Sequence, residues 1–217
     1  MRRIKMTLPD KNLLLRTGDV DYYDWNYKFP IKYVQLYRFK RIVKLLGCEK
    51  YPVLLEAGTG SGIFLPELSK HCDQLYACDI HHDFDNIAKL CETYKIQNYH
   101  LSTQSIDDTN FPDASFDAVV AVSVLEFVPD IQKAVSEIKR ILKKDGVFIT
   151  ICPMESSLLD FFLSLYTRKP PKDESGDSRQ RVSKILEQNF TIVKKGYMVP
   201  LIGKFFPVYT HYKLRNN

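Results

Sequence analysis

The sequence predicts an α/β domain built on a doubly wound parallel sheet. Between residues 51 and 153, short apolar runs alternate with segments of helical periodicity. One of these runs, at 116–122, is apolar apart from Asp117, as expected for a strand that is buried on both faces. Such alternation favours right-handed crossovers and helices on both faces of the sheet. The 217 residues fit one domain of this kind.

The first predicted helix begins at Pro30 and ends before Gly47. Proline suits the first turn of a helix and glycine suits its end. Apolar residues recur between them at helical spacing, at Leu36, Phe39, Val43 and Leu46. Together with the segment before it, this helix forms a predicted N-terminal cap over residues 1–47.

The core at 51–153 is expected to contain five strands with helices between them. The strands are expected at 53–56, 74–79, 99–101, 116–122 and 147–152. Helices are expected at 63–70, at 87–94 and along the apolar stripe of Ile131, Val135, Ile138 and Leu142. Asp145 and Gly146 form a turn signal before the last of these strands.

The rhythm of strands and helices breaks after Pro153, which predicts an insertion at 154–180. An apolar helical segment is expected at 158–166, followed by a polar, proline-containing loop at 168–180 that could act as a lid. Residues 181–217 complete the domain, with a helix near 179–188 and strands at 190–197 and 208–214.

Composition excludes several classes of protein. A hydrophobic share of 45% with 26% charged residues is typical of a folded globular chain. The five cysteines form no C-x-x-C pair, so we expect reduced thiols and neither a disulfide framework nor a thiolate metal site. No apolar run approaches the roughly 18 residues that cross a bilayer, and the start does not resemble a signal peptide. We therefore expect a cytoplasmic protein.

A glycine-rich loop carries the main functional signal. Gly58, Gly60 and Gly62 lie where the first core strand turns into a helix, so backbone N–H groups can come close to a ligand. A turn needed only for tight packing is the alternative. Asp79 ends the next strand, where an acid can accept hydrogen bonds from both hydroxyls of a ribose. Loop and acid together predict a nucleotide-like cofactor.

Glu56, just before the loop, narrows the choice of cofactor. The third glycine comes one residue too early for the dinucleotide pattern G-x-G-x-x-G. A carboxylate at Glu56 would repel a pyrophosphate but attract an ammonium group. The charge favours a nucleoside that bears an amino acid, and an NAD-dependent oxidoreductase remains the alternative.

The segment EAGTGSG at 56–62 resembles the first motif of class I S-adenosylmethionine-dependent methyltransferases. SIDDTNFPDASFDAVVAVSVLEFVPD at 105–130 and LKKDGVFITICP at 142–153 resemble the regions of the fourth and fifth strands in that family. Order and spacing are most similar to a small-molecule group that includes ubiquinone and menaquinone biosynthesis methyltransferases. The resemblance implies a Rossmann-like, seven-stranded sheet whose last strand is antiparallel.

The resemblance also implies the contacts of the cofactor. Glu56, Gly58 and Gly60 would surround its methionine part and Asp79 would bind the ribose. The remaining implied contacts are Ile80 on the adenine, Ser105 and Ile106 at the adenine edge, and Val122 and Ser123 beside the sulfonium. Many relatives have Asp where Ser105 stands, and many read L-E-H where this chain has L-E-F at 125–127.

The implied activity is methyl transfer from S-adenosylmethionine to a small organic acceptor, with release of S-adenosylhomocysteine. Neither a Pro-Cys pair nor an N/D-P-P-Y/F motif follows the fourth strand, which disfavours nucleic acid as the acceptor. A non-catalytic partner subunit that keeps the cofactor fold is the alternative from another class. The acceptor, its attacking atom and the oligomeric state are not indicated.

Aromatic residues in the cap and the insertion are candidates for the acceptor pocket: Tyr22, Tyr23, Trp25, Phe161, Phe162 and Tyr166. His211 is the candidate catalytic residue, because the final strands can border an acceptor pocket. His81 and His82 are adjacent and point in different directions, so we expect no metal site there.

Overall fold

The computed structural model describes residues 6–17, 26–29, 31–153, 175–198 and 209–217, with backbone alone at 175–180. Its seven strands are β1 (Tyr51–Ala57), β2 (Cys72–Asp79), β3 (Tyr99–Thr103), β4 (Phe116–Val122), β5 (Leu142–Pro153), β6 (Thr191–Tyr197) and β7 (Tyr209–Arg215). Its helices are α1 (Ile31–Leu46), α2 (Leu65–Leu68), α3 (Asp85–Thr93), α4 (Ile131–Ile141) and α5 (Ser175–Asn189).

All seven strands form one sheet in the order β3-β2-β1-β4-β5-β7-β6. The pairs from β3 through β5 are parallel. Strand β7 pairs antiparallel with both β5 and β6. The predicted fold class is therefore confirmed, including the antiparallel last strand.

Two layers of apolar side chains cover the two faces of the sheet. One contains residues of α1, α2 and α3, where Phe39 stacks on Phe64 with ring centroids 4.0 Å apart. The other contains residues of α4 and α5, and Tyr212 is fully buried in it. Helices on both faces explain why β1, β4 and the end of β5 are apolar almost throughout.

The ends of α4 follow from local chemistry. Asp130 accepts a hydrogen bond from the Lys133 N–H at 2.9 Å and caps the first turn. The helix ends at Ile141, so the prediction that Leu142 belongs to its stripe was wrong. Leu142 has extended backbone angles and begins β5. Its side chain is still buried, which is why the helical pattern seemed to continue.

Other boundaries also differ from the sequence prediction. Helix α2 ends at Leu68, and a 3-10 turn follows at Ser69–His71. Helix α5 begins at Ser175, inside the stretch that was predicted to be a polar loop. The turn predicted at Asp145 is an irregularity within β5, where Asp145 has a φ of 63°. The helix predicted at 158–166 lies outside the described residues.

Candidate cofactor and acceptor site

The glycine loop lies where the sheet changes direction. Strand β1 lies between β2 and β4. The chain runs from β1 to β2 and β3 on one side and then crosses back to β4 on the other side. Ligands of open α/β sheets bind outside the carboxyl ends of the strands at such a point. Residues 58–62 follow the carboxyl end of β1 directly, so the loop faces this crevice.

Close contacts with neighbouring segments of the protein require glycine at the first position of the loop. The N–H groups of Gly58 and Thr59 both donate to the Cys78 carbonyl oxygen, at 2.8 and 3.2 Å. Gly58 has a φ of +72°, and a Cβ atom there would lie 2.3 Å from a methyl carbon of Val124. Any larger residue would strain the backbone and clash with that side chain.

Asp79 and the loop, predicted separately, are joined by a hydrogen bond. The Gly60 N–H donates to Asp79 Oδ2 at 2.8 Å, and the Ile80 N–H donates to Asp79 Oδ1 at 2.8 Å. Each carboxylate oxygen keeps a lone pair for a further donor. The side chain of Ile80 is 73% exposed, which leaves an apolar surface beside the acid.

Glu56 is a buried carboxyl group on the other side of the loop. It is 3% exposed, and the Thr59 hydroxyl donates to its Oε2 at 2.8 Å. Burial raises the pKa of Glu56 to about 8, and the negative charge of Asp79 raises it further against the effect of the Thr59 hydrogen bond. A buried carboxyl group of this kind gains most from a cationic partner.

The residues at the predicted adenine edge show an acid that the sequence analysis missed. The hydroxyl of Ser105 donates to the carboxylate of Asp107, so a negative charge lies two residues from the position where many relatives have Asp. The side chain of Ile106 is buried in the core. A backbone bridge between Ser105 and Asp108 brings these side chains together.

His81 supports the loop, although the sequence analysis considered it only as a metal ligand. Its Nδ1 accepts from the Asp83 N–H at 3.1 Å, so its Nε2 carries the proton and donates to the Gly60 carbonyl oxygen at 2.9 Å. Gly60 is thus fixed through its N–H by Asp79 and through its carbonyl by His81. No local pattern in the sequence indicates this contact.

Val122 ends β4 and Ser123 follows it at the same edge of the sheet. Ser123 has a φ of 55°, which is uncommon for a residue other than glycine, and its N–H donates to the Ile151 carbonyl oxygen at 2.9 Å. Arg38 of α1 reaches this point, where its Nη2 donates to the Val122 carbonyl oxygen at 3.4 Å. Arg38 lies between the apolar positions of the predicted helix, where the sequence pattern favours a side chain that faces water.

His211 is buried in β7, the strand that lies between β5 and β6 in the sheet. It pairs in register with Ile151 and Gly196, and a Cβ atom at Gly196 would lie 2.6 Å from its Nε2. Burial lowers the pKa of His211 to about 4, and the charges of Arg41, Lys194 and Lys44 add to this. The ring is neutral at pH 7, and its catalytic role stays a prediction.

The aromatic residues predicted to line the acceptor pocket, at 22, 23, 25, 161, 162 and 166, all lie outside the described residues. Within the described part of the chain, no group of three or more His, Cys, Asp or Glu side chains is placed to hold a metal. The same part contains no helix that is both long and apolar enough to span a bilayer.

Residues 55–150 match the family model of the methyltransferase domain. The chain therefore contains a methyltransferase domain, as the resemblance in the sequence implied. The methyltransferase domain covers the loop, Asp79 and the region from Ser105 to Ser123, and it leaves α1, β6 and β7 outside the match.

Curated relatives are similar to this chain over part of their length, with identities of 31% or lower in the aligned parts. The ubiquinone/menaquinone biosynthesis C-methyltransferase UbiE of Rickettsia bellii is 31% identical over 52% of this chain and 50% of its own length. The phosphatidylethanolamine N-methyltransferase of Cereibacter sphaeroides is 29% identical over 45% of this chain and 49% of its own length. The chain spans about half the length of the curated relatives it matches.

Solved structures share the fold of this chain. An S-adenosylmethionine-dependent methyltransferase from Aquifex aeolicus aligns with a TM-score of 0.63 at 20% identity, over 82% of this chain and 89% of its own. The N-methyltransferase NodS from Bradyrhizobium japonicum, in complex with S-adenosylhomocysteine, aligns with a TM-score of 0.63 at 18% identity, over 93% and 94%.

Proposed function

We propose that this protein binds S-adenosylmethionine and transfers its methyl group to a small organic acceptor in the cytoplasm, releasing S-adenosylhomocysteine. The observation that carries the proposal is the position of two carboxyl groups around one glycine loop. Glu56 is buried beside it, and Asp79 is hydrogen-bonded to Gly60 within it. An amino acid joined to a nucleoside needs an anionic partner for its ammonium group and an acceptor for its ribose hydroxyls.

The residues present fit this cofactor. A Cβ atom at Gly58 would clash with Val124, so the loop packs closely against the segment that follows β4. Glu56 is the partner for the ammonium group, and Asp79 is the partner for the ribose hydroxyls. Ile80 offers an exposed apolar side chain to the adenine, with Ser105 and Asp107 at its edge.

The sulfonium group of the bound cofactor supplies an activated methyl group, so the protein has to orient the acceptor and exclude water. Val122 and Ser123 lie at the carboxyl end of β4, beside the loop, and border the place where the acceptor is expected. His211 is too weak a base at a pKa of about 4 to remove a proton efficiently at neutral pH. Acceptors that need no strong base are therefore favoured.

The names of the relatives support a small acceptor. UbiE is named for quinone biosynthesis, and the Cereibacter sphaeroides enzyme is named for phosphatidylethanolamine. The fold alone does not decide the reaction, because the [4+2]-cyclase SpnF aligns with a TM-score of 0.64 at 14% identity. Binding and turnover must therefore be measured separately.

Calorimetric titration with S-adenosylmethionine and S-adenosylhomocysteine tests the cofactor. We expect Asp79→Ala to weaken binding by ~1–3 kcal/mol, because hydroxyl groups lose their acceptor. Asp73→Ala is the matched control, since Asp73 lies on the same strand but is exposed and pairs with Lys50. Equal affinity of the wild type and Asp79→Ala would show that the pocket has been assigned wrongly.

Turnover is then measured over a library of small acceptors by release of S-adenosylhomocysteine. Product formed with at least one acceptor supports methyl transfer. Tight cofactor binding without turnover on any acceptor would contradict the proposed reaction and favour a non-catalytic partner subunit. Binding of NAD in place of S-adenosylmethionine would favour an oxidoreductase.

A further inference from the structure

Arg38 extends from α1 across the carboxyl edge of the sheet. Its Nη2 donates to the Val122 carbonyl oxygen at 3.4 Å, at the end of β4. Its guanidinium carbon lies 5.3 Å from the ring centroid of Tyr209, the first residue of β7. Strand β5 lies between β4 and β7 in the sheet. The guanidinium group therefore spans the end of β5, on the acceptor side of the proposed cofactor site.

The hydrogen-bonding capacity of this guanidinium group is only partly used. Its Nε is buried and has no hydrogen-bond partner among the described residues. A guanidinium group has five N–H donors in a fork that matches two oxygen atoms of one anion. A buried donor without a partner costs free energy, so an arrangement of this kind calls for an acceptor supplied from outside the described residues.

Ser123 adds a second donor next to Arg38. The carbonyl oxygen that Arg38 contacts belongs to the peptide group that joins Val122 to Ser123. The hydroxyl of Ser123 is buried and has no hydrogen-bond partner in the described part of the chain. Backbone strain at a φ of 55° is retained here although Ser is not favoured in that region. The peptide group between Val122 and Ser123 thus connects the two donors.

The acid Glu126 lies near the same point. Glu126 and Arg38 both act on the pKa of the Cys152 thiol, in opposite directions. Burial raises the pKa of that thiol most, so Cys152 stays neutral and is no counter-ion for Arg38.

We infer that Arg38, with Ser123, binds an anionic oxygen group of the methyl acceptor, either a carboxylate or a phosphate. The inference rests on the proposed function, because it identifies these residues with the acceptor side of the cofactor site. It narrows the acceptor from any small organic molecule to one that carries an acid. It also assigns specificity to α1, outside the matched domain.

The test uses pairs of probes that differ only in charge. A library of carboxylic acids is compared with their primary amides, and phosphate monoesters are compared with their alcohols. Thermal unfolding of the intact protein is followed with each probe, with and without saturating S-adenosylhomocysteine, and the dissociation constant of the best pair is then measured by calorimetry. We expect the anionic member to bind at least tenfold more tightly.

Variants then show whether Arg38 is responsible. Arg38→Met is expected to weaken binding of the anionic probe by about 10- to 100-fold and to leave binding of its neutral partner unchanged. Arg38→Lys keeps a charge without the fork and is expected to restore part of the preference. Lys40→Met is the matched control, because Lys40 is an exposed cation on the same helix. Its affinity is expected to equal that of the wild type.

Two results would overturn the inference. Either no anionic probe binds more tightly than its neutral partner, or the preference survives in Arg38→Met. Titration of S-adenosylhomocysteine alone reports separately on the proposed function. If this ligand binds and no anion is preferred, only the inference fails; if this ligand does not bind, the cofactor assignment fails whatever the anions do.

Discussion

Cofactor affinity is expected to rise with pH, because Glu56 must lose a proton before it can pair with an ammonium group. Burial raises its pKa to about 8, so the free protein holds this carboxyl group mainly in the neutral form at pH 7. The amino group of the ligand, with a pKa near the α-amino range of about 7.7–8.0, stays charged below that range. The informative window is therefore pH 6–7.5.

The size of the effect follows from the ionised fraction. With a pKa of about 8, roughly 1% of Glu56 is ionised at pH 6 and roughly 9% at pH 7. The association constant for S-adenosylhomocysteine is then expected to rise about ninefold between these values. At pH 7, deprotonation costs about 1.4 kcal/mol, which is a factor of ten in affinity. Above pH 8 the gain ends, because the ligand loses its own charge.

The same group affects the stability of the free protein in the opposite direction. Its folded pKa of about 8 lies above its ordinary value of 4.5, so the folded state holds more protons between these values. Stability that is fully present below pH 4.5 is therefore lost as the pH rises through 8. Glu56→Gln removes this dependence, and its stability relative to the wild type is expected to increase by about 5 kcal/mol across the window.

Calorimetry in two buffers of different ionisation enthalpy measures the proton directly. At pH 7 the wild type is expected to release about 0.8 proton for each S-adenosylhomocysteine bound, because Glu56 loses about 0.9 and the amino group of the ligand takes up about 0.1. Glu56→Gln is expected to release none and to bind with an affinity that is flat from pH 6 to 7.5. Glu67→Gln is the matched control, since its hydrogen bonds to His71 and Lys70 lower the pKa of Glu67.

The reasoning would be refuted by a wild type that binds without releasing a proton and whose affinity does not change with pH. It would also be refuted if Glu56→Gln kept the wild-type proton release. Denaturant unfolding at pH 5 and pH 8 gives the independent measure of stability. If the difference in stability between the wild type and Glu56→Gln is the same at pH 5 and pH 8, the raised pKa is contradicted.

Three further outcomes are expected. Gly58→Ala is expected to destabilise the fold by about 1–3 kcal/mol in denaturant unfolding, because its methyl group meets Val124, and a second change, Val124→Ala, is expected to recover part of the loss. His81→Ala is expected to weaken S-adenosylhomocysteine about fivefold in calorimetry, since the Gly60 carbonyl loses its donor, whereas His82→Ala is expected to have no effect. Hydrogen bonds from a guanidinium group lower the pKa of Glu137 to about 2, so its stabilisation is present above pH 4.5 and lost as the pH falls towards 2. Thermal unfolding of Glu137→Gln is expected to differ from the wild type at pH 7 and to converge with it in acid; a constant difference would exclude this cause.

Local patterns in the sequence predict most of the sheet. The run at 116–122, apolar apart from Asp117, coincides with β4, because a strand covered on both faces has no polar side. The alternation of strands and helices predicts parallel strands, so the sequence alone indicates that Gly58 and Asp79 lie at the same edge of the sheet. Their actual connection runs through Gly60, at 2.8 Å from the Asp79 carboxylate.

The features that the sequence did not predict depend on contacts between distant segments. Arg38 follows the helical pattern of a solvent-facing residue, and only the position of α1 on the sheet brings it to Val122. His81 contacts Gly60 because β1 and β2 are adjacent. The boundary at Leu142 was missed because a buried leucine satisfies a helix and a strand equally well.

The position of β7 has a consequence for the order in which the fold is assembled. Strand β6 is joined to the rest of the sheet through β7, which follows it in the chain. During synthesis, β6 therefore leaves the ribosome before β7, the strand that pairs with it. The edge of β5 that also pairs with β7 stays unpaired during the same interval. Both edges are exposed templates for wrong pairing in that interval. Shielding of nascent chains by a chaperone would matter most at this stage.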